Sequence, residues 1–87
     1  MSNHLIFFYG TECPHCQKMD LLVSKLAFDG IIVERLEIWH EEKNLKLMEE
    51  LDSEPCGGVP FFINTKTNKT ICGEATYKEL KDWAEGK

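Results

Sequence analysis

Five consecutive apolar residues, Leu5-Ile6-Phe7-Phe8-Tyr9, run into Gly10-Thr11-Glu12 and then Cys13-Pro14-His15-Cys16. An unbroken apolar run of this length reads as a strand covered on both faces, as in a parallel sheet flanked by helices. The strand is expected over His4–Tyr9, with Gly10–Glu12 breaking it. Proline is tolerated at the first helical position, where its missing N–H has no intrahelical partner, so a helix is expected to start near Cys13. Met19, Leu22, Val23 and Leu26 then recur on one helical face, and Asp29-Gly30 ends the helix. A buried strand leading directly into an amphipathic helix commits the chain to α/β layering.

The remaining segments fit that layering. Ile31–Trp39 is β-branched and partly alternating, which predicts a second strand. His40–Leu51 reads as a charged helix with Leu45, Leu47, Met48 and Leu51 facing inward and early acids suited to a helix N-terminus. Asp52–Gly58 reads as a loop, Phe61–Ile63 as a third strand, Thr65–Asn68 as a turn and Thr70–Cys72 as a fourth strand. Thr76-Tyr77-Lys78-Glu79 has the T-x-x-E form of a capping box. The helix it opens would turn Tyr77, Leu80, Trp83 and Ala84 inward and end at Gly86. The order is βαβαββα: one domain over residues 1–87, a mixed four-stranded sheet with helices on both faces. The first crossover suits a parallel βαβ unit, and the last two strands suit an antiparallel hairpin.

Composition narrows the function. With 87 residues and 43% apolar content the chain can build one core without disulfides. A net charge of −5 with no basic run argues against nucleic-acid or anionic-membrane partners. The apolar run at Leu5–Tyr9 is too short for a membrane span and has no basic segment before it, so a cytoplasmic location is expected. Thiols are reduced by default there, and a CxxC beside a βαβ pattern is more often redox-active or metal-binding than structural. Asn68-Lys69-Thr70 then reads as a chance glycosylation match in a turn.

Cys13 and Cys16 carry the most informative chemistry. Residues three apart on a helix share a face at ~5–6 Å between Cβ atoms, and a disulfide needs ~3.5–4.5 Å. The bond is reachable but tight, which suits a pair that opens and closes. Free N–H groups and the positive dipole end at a helix start favour a thiolate, so Cys13 is the expected nucleophile. Cys16, one turn inside, is the expected resolving thiol. Cys13 would attack a substrate disulfide, form a mixed disulfide and be released by Cys16. Pro14 would stiffen the turn. His15 would hydrogen-bond or neutralise the Cys13 thiolate, and Glu12 is expected to point into solvent.

The apolar strand, Tyr9-Gly10-Thr11-Glu12-Cys13-Pro14-His15-Cys16, the downstream Gly58-Val59-Pro60 and Gly73 before a capped helix together resemble glutaredoxins and small thioredoxin-like proteins. The resemblance covers nearly the whole chain and implies a thioredoxin-like, glutaredoxin-size fold. It implies a cis Pro60 against the reactive pair, Val59 as the residue that docks substrate through its backbone, and Gly73 and Thr76 as substrate-binding positions. It also implies thiol–disulfide oxidoreductase activity toward disulfide-containing proteins or small thiols. No bound cofactor is implied; glutathione as co-substrate or a reductase could recycle the pair. Four positions depart from the family pattern. Glutaredoxins usually have a basic residue where Gly10 stands, and an acidic pair for the γ-glutamyl group of glutathione where Ala75 and Thr76 stand. Thioredoxins usually have tryptophan where Glu12 stands.

Cys56 and Cys72 leave three readings open. They are ordinary small buried residues, the commonest state of free cysteine; or a second disulfide or relay; or the remaining ligands of a four-cysteine metal or iron–sulfur site with Cys13 and Cys16. That last reading would make the chain a binding module, and a redox-regulated interaction module without turnover is a further alternative. A zinc ribbon would want a second close cysteine pair, so no metal ligand is assigned. Trp39 and Trp83 read as packing anchors, and His4 and His40 as surface residues.

Overall fold

The computed structural model describes residues 4–52 and 56–87; positions 53–55 of the expected Asp52–Gly58 loop lie outside them. The chain forms β1 (Leu5–Tyr9), α1 (Pro14–Phe28), β2 (Glu34–Glu37), α2 (Glu42–Leu51), β3 (Phe61–Asn64), β4 (Lys69–Cys72) and α3 (Tyr77–Glu85). The sheet order is β2-β1-β3-β4. β1 pairs parallel with β2 and antiparallel with β3, and β3 pairs antiparallel with β4. This is the mixed four-stranded α/β sheet with the element order read from the sequence.

The two central strands alternate their side chains between two cores. Leu5 and Phe7 of β1 and Phe62 of β3 join Met19, Val23 and Leu26 of α1 and Leu80 and Trp83 of α3 on one face. Ile6, Phe8, Phe61 and Ile63 meet Met48 of α2 on the other. Phe7 and Phe62 are cross-strand partners, stacked with centroids 4.7 Å apart. Both are fully buried, and a side chain of that kind contributes about 1.5–3 kcal/mol through burial. The continuous apolar run of β1 is thus explained: both of its faces are covered.

Two elements are shorter than expected. The predicted strand Ile31–Trp39 is reduced to Glu34–Glu37. It is an edge strand whose register with β1 pairs Glu34–Glu37 with Ile6–Tyr9, while the Ile31 N–H is taken by the Leu26 carbonyl at the end of α1. The predicted helix His40–Leu51 starts instead at Glu42. The Glu37 carboxylate accepts the His40 backbone N–H at 2.7 Å, and the Glu37 carbonyl accepts Asn44 Nδ2 at 2.9 Å. These bonds hold the connection outside the helix.

The capping box at α3 forms in both directions: Glu79 N–H donates to the Thr76 hydroxyl oxygen, and Thr76 N–H donates to the Glu79 carboxylate. The Thr76 N–H, and after it the Thr76 hydroxyl, also lower the Glu79 carboxyl below its ordinary value. Gly86 ends the helix at φ 78°. The buried Asn64 donates to the Trp83 carbonyl at 3.0 Å and accepts from Lys66 N–H, while Trp83 Nε1 donates to the Lys69 carbonyl. These bonds fasten α3 to the β3–β4 hairpin and leave the Asn64 amide satisfied, as burial of a polar group requires.

Candidate active site

Cys13 is the N-cap of α1, with extended backbone (φ −89°, ψ 111°), and Pro14 is the first helical residue. The turn before it is closed by Cys13 N–H donating to the Gly10 carbonyl at 3.1 Å. Because the N-cap side chain folds back over the first turn, Cys13 Sγ accepts the Cys16 backbone N–H at 3.2 Å. A helix-start donor is therefore aimed at the sulfur that would carry charge during attack. Both thiols are free. Burial pushes the Cys16 thiol up to about 12; the adjacent Cys13 sulfur adds to the rise, and the Gly10 backbone offsets part of it. Cys16 is accordingly a protonated, shielded thiol at neutral pH.

Cys13 is less open than its position suggests, at 5% exposure against 2% for Cys16. The segment that precedes β3 covers it: the Val59 carbonyl oxygen lies 3.9 Å from Cys13 Sγ. The Val59–Pro60 peptide bond is cis. The Pro60 carbonyl accepts the N–H of Gly73, whose φ is +91°, joining that segment to the end of β4. Of the positions the resemblance marks for substrate, Val59 thus lies against Cys13, with Pro60 next to it across the cis bond. The Gly73 N–H is used within the sheet end, and the Thr76 hydroxyl is used by the helix cap.

The imidazole of His15 pairs with Glu74. Its Nδ1 lies 2.7 Å from Glu74 Oε2, and Lys18 reaches the other Glu74 oxygen at 3.9 Å. This pairing bridges the first turn of α1 to the β4–α3 connection; sequence spacing holds no sign of it, since the residues are 59 positions apart. Glu12 is exposed as expected, 3.7 Å from the His40 ring.

Glu37 was not anticipated at all. Its carboxylate accepts from Thr11 N–H, Thr11 hydroxyl, His40 N–H and the His40 ring. Partial burial works to raise its pKa, but these donors overcome that and hold it at about 2. The charged carboxylate pins the loop ahead of Cys13 to the end of β2. Gly10 is needed in that loop: a Cβ there would fall inside the Trp39 indole. Half-exposed Trp39 therefore anchors by covering a glycine, where glutaredoxins usually carry a basic side chain. An open hollow of about 510 Å³ beside Gly57 and Gly58 is walled by Ile38, Trp39, Leu45 and Met48.

Cys56 and Cys72 are joined in a disulfide, with Cα atoms 5.6 Å apart. The reading of two ordinary small buried cysteines is corrected by this: Cys72 is exposed, Cys56 is half-buried, and each sulfur has the other as partner. The pairing also takes two sulfurs from the supposed four-cysteine metal site, and no cluster of three or more metal-ligating side chains occurs among the described residues. Sequence spacing does not reveal the pairing because it depends on the β3–β4 register, which sets Cys72 opposite Phe61 and so beside the incoming loop.

A βαβαββα sheet with a dithiol at the start of its first helix and a cis-proline segment facing it defines the glutaredoxin-like form of the thioredoxin fold. The chain is similar in structure to a glutaredoxin from Archaeoglobus fulgidus, with a TM-score of 0.63 and 22% sequence identity, over 93% of this chain and 85% of that one. No family model and no curated protein matches the sequence. No helix among the described residues is long and apolar enough to cross a membrane.

Proposed function

We propose that the chain is a cytoplasmic thiol–disulfide oxidoreductase in which Cys13 attacks and Cys16 resolves. The observation that carries this reading is the position of Cys13 Sγ, at the N-cap of α1 with the Cys16 N–H donated to it and the Val59 backbone in front of it. The thiolate of Cys13 attacks one sulfur of a substrate disulfide and the other sulfur leaves as a thiolate. Cys16 then gives up its proton and attacks Cys13 Sγ, releasing the second substrate thiol and leaving Cys13–Cys16 oxidised. Two electrons pass to the substrate, and glutathione or a reductase restores the pair. Val59 and Pro60 dock the substrate backbone, and Pro14 sets the turn.

Disulfide-containing proteins fit this site as substrates better than glutathione alone. The Gly73 N–H and Thr76 hydroxyl, which the family resemblance offers to glutathione, are engaged inside the fold. The hollow beside Gly57 and Gly58 leaves room for a side chain of a longer substrate. The test is redox equilibration of the protein in glutathione buffers with intact-mass and peptide mapping, followed by an insulin-reduction assay. Reversible loss of two hydrogens at Cys13–Cys16, with a potential between about −120 and −270 mV, is the expected result. Insulin reduction by the Cys13→Ser protein at the wild-type rate would overturn the reading.

A further inference from the structure

The Cys56–Cys72 disulfide occupies a revealing place. Cys56 begins the segment that ends in Val59 and Pro60, and Cys72 ends β4 directly before Gly73, whose N–H holds the Pro60 carbonyl. The Cys72 end is already fixed by the ladder, opposite Phe61. What the disulfide adds is therefore an anchor for Cys56. Between Cys56 and Val59 stand only Gly57 and Gly58, and the space where their Cβ atoms would lie is open. No side chain of either residue can hold the backbone there. The Cys56 N–H donates to the Asp52 carboxylate at 2.8 Å, so the start of this segment is held by that bond, by the S–S bond and by packing of Cys56 against the core.

The two cysteines differ in exposure. Cys72 is exposed and Cys56 is half-buried, packed against the core under α2. Attack on a disulfide falls on the sulfur that a thiolate can reach. We propose that Cys56–Cys72 is a second thiol–disulfide exchange site, taking a thiol reductant at Cys72, and that its oxidation state sets how firmly Gly57–Val59 are held in front of Cys13. The first half stands on the disulfide itself; the second rests on the function proposed above. In the exchange, a thiolate of an external dithiol attacks Cys72 Sγ, the S–S bond breaks and Cys56 leaves as a thiolate. The second thiol of the reductant then attacks the mixed disulfide and frees Cys72. Two electrons and two protons pass from the dithiol, which becomes a disulfide, to Cys56 and Cys72. With two monothiols such as glutathione the balance is the same. Reduction removes the covalent tie to β4 and leaves the Asp52 bond and core packing as the holds on Cys56, and the Val59 backbone loosens over Cys13.

The test has two arms on the full chain. In the first, Cys13→Ser protein, which lacks the other nucleophile, is equilibrated in glutathione buffers, alkylated and mapped. Reversible reduction of Cys56–Cys72, with the glutathione adduct on Cys72, is expected. A pair that stays oxidised in buffers that reduce Cys13–Cys16 in the wild type, or an adduct on Cys56, overturns the proposal. In the second, the Cys56→Ser, Cys72→Ser double variant is compared with wild type for reduction of a protein disulfide. KM is expected to rise about fivefold with kcat unchanged, the pattern of lost substrate binding rather than lost chemistry. Amide hydrogen exchange at Gly57, Gly58 and Val59 is expected to quicken about tenfold while β1 and β3 keep their protection, which separates a loosened segment from a misfolded chain. Unchanged KM and unchanged exchange overturn the coupling. If Cys56–Cys72 titrates but wild-type protein reduces no disulfide, the function proposed for Cys13 fails while the second site stands.

Discussion

Glu37 grips Thr11 twice through a single carboxylate oxygen: its Oε2 accepts the Thr11 backbone N–H and the Thr11 hydroxyl, each at 3.0 Å. Thr11 lies two residues before Cys13, so an acid at the end of an edge strand positions the loop that presents the nucleophile.

Glu37→Gln should loosen that loop. Gln replaces a charged acceptor by a neutral one and removes the strength of charge-assisted bonds. Disulfide exchange by Cys13 is expected to slow by about three- to tenfold, the scale of a small misplacement of a reacting group. The pH dependence has a definite sign. The folded carboxyl sits at about 2, below its ordinary 4.5. Its stabilising effect is therefore present above the ordinary value and is lost as pH falls through about 2. Acid unfolding of wild type should show this loss between those values, and Glu37→Gln should remove that part of the acid sensitivity. Identical acid unfolding curves would contradict the assignment.

Alkylation should distinguish the two thiols. With Cys16 pushed up to about 12 by burial, reduced native protein treated with iodoacetamide at pH 8 should carry the label on Cys13 and spare Cys16, because only thiolates react. Cys13→Ser should lower disulfide exchange by about a thousandfold or more, and Cys16→Ser should trap mixed disulfides. Peptide mapping that finds Cys16 labelled first would reverse the roles.

Thr76→Ala separates capping from substrate binding. The lost cap should cost about 1 kcal/mol, read as a lower melting temperature, and Thr76→Ser should restore it. KM for glutathione disulfide should stay at the wild-type value in both variants, since the hydroxyl serves Glu79 N–H. A raised KM with unchanged stability would return Thr76 to the binding site.

Gly10→Ala should displace the Trp39 indole, because the added methyl would occupy its volume. A cost of about 1–3 kcal/mol follows from overpacking. Tryptophan emission should shift to the red as Trp39 enters water, while Trp83, 3% exposed, remains buried. A Trp39→Phe, Gly10→Ala double variant with unchanged emission would tie the shift to Trp39.

Much of this architecture could be read along the chain because local rules determine it. The unbroken apolar run at Leu5–Tyr9 meant two covered faces, Pro14 meant a helix start, and the T-x-x-E at Thr76 meant a cap. The Cys13–Cys16 pair and its orientation followed from the same helix start. Errors arose where an element depended on its neighbours. Ile31–Trp39 had strand character throughout, but the strand that forms, Glu34–Glu37, is set by its register with Ile6–Tyr9 of β1. His40 and Glu41 had helical neighbours, but the Glu37 carboxylate took the His40 donor first.

By itself, then, the sequence determined the order and type of the elements, the two covered faces of β1, and the placement of a dithiol at the start of α1, all set by periodicity and capping within a few residues. Tertiary structure alone decided which distant groups meet at that dithiol: Val59 over Cys13, His15 on Glu74, Glu37 under Thr11, and Cys56 bonded to Cys72. These contacts join residues between 16 and 59 positions apart, and at such separations it is strand register and sheet order, not local preference, that brings side chains together.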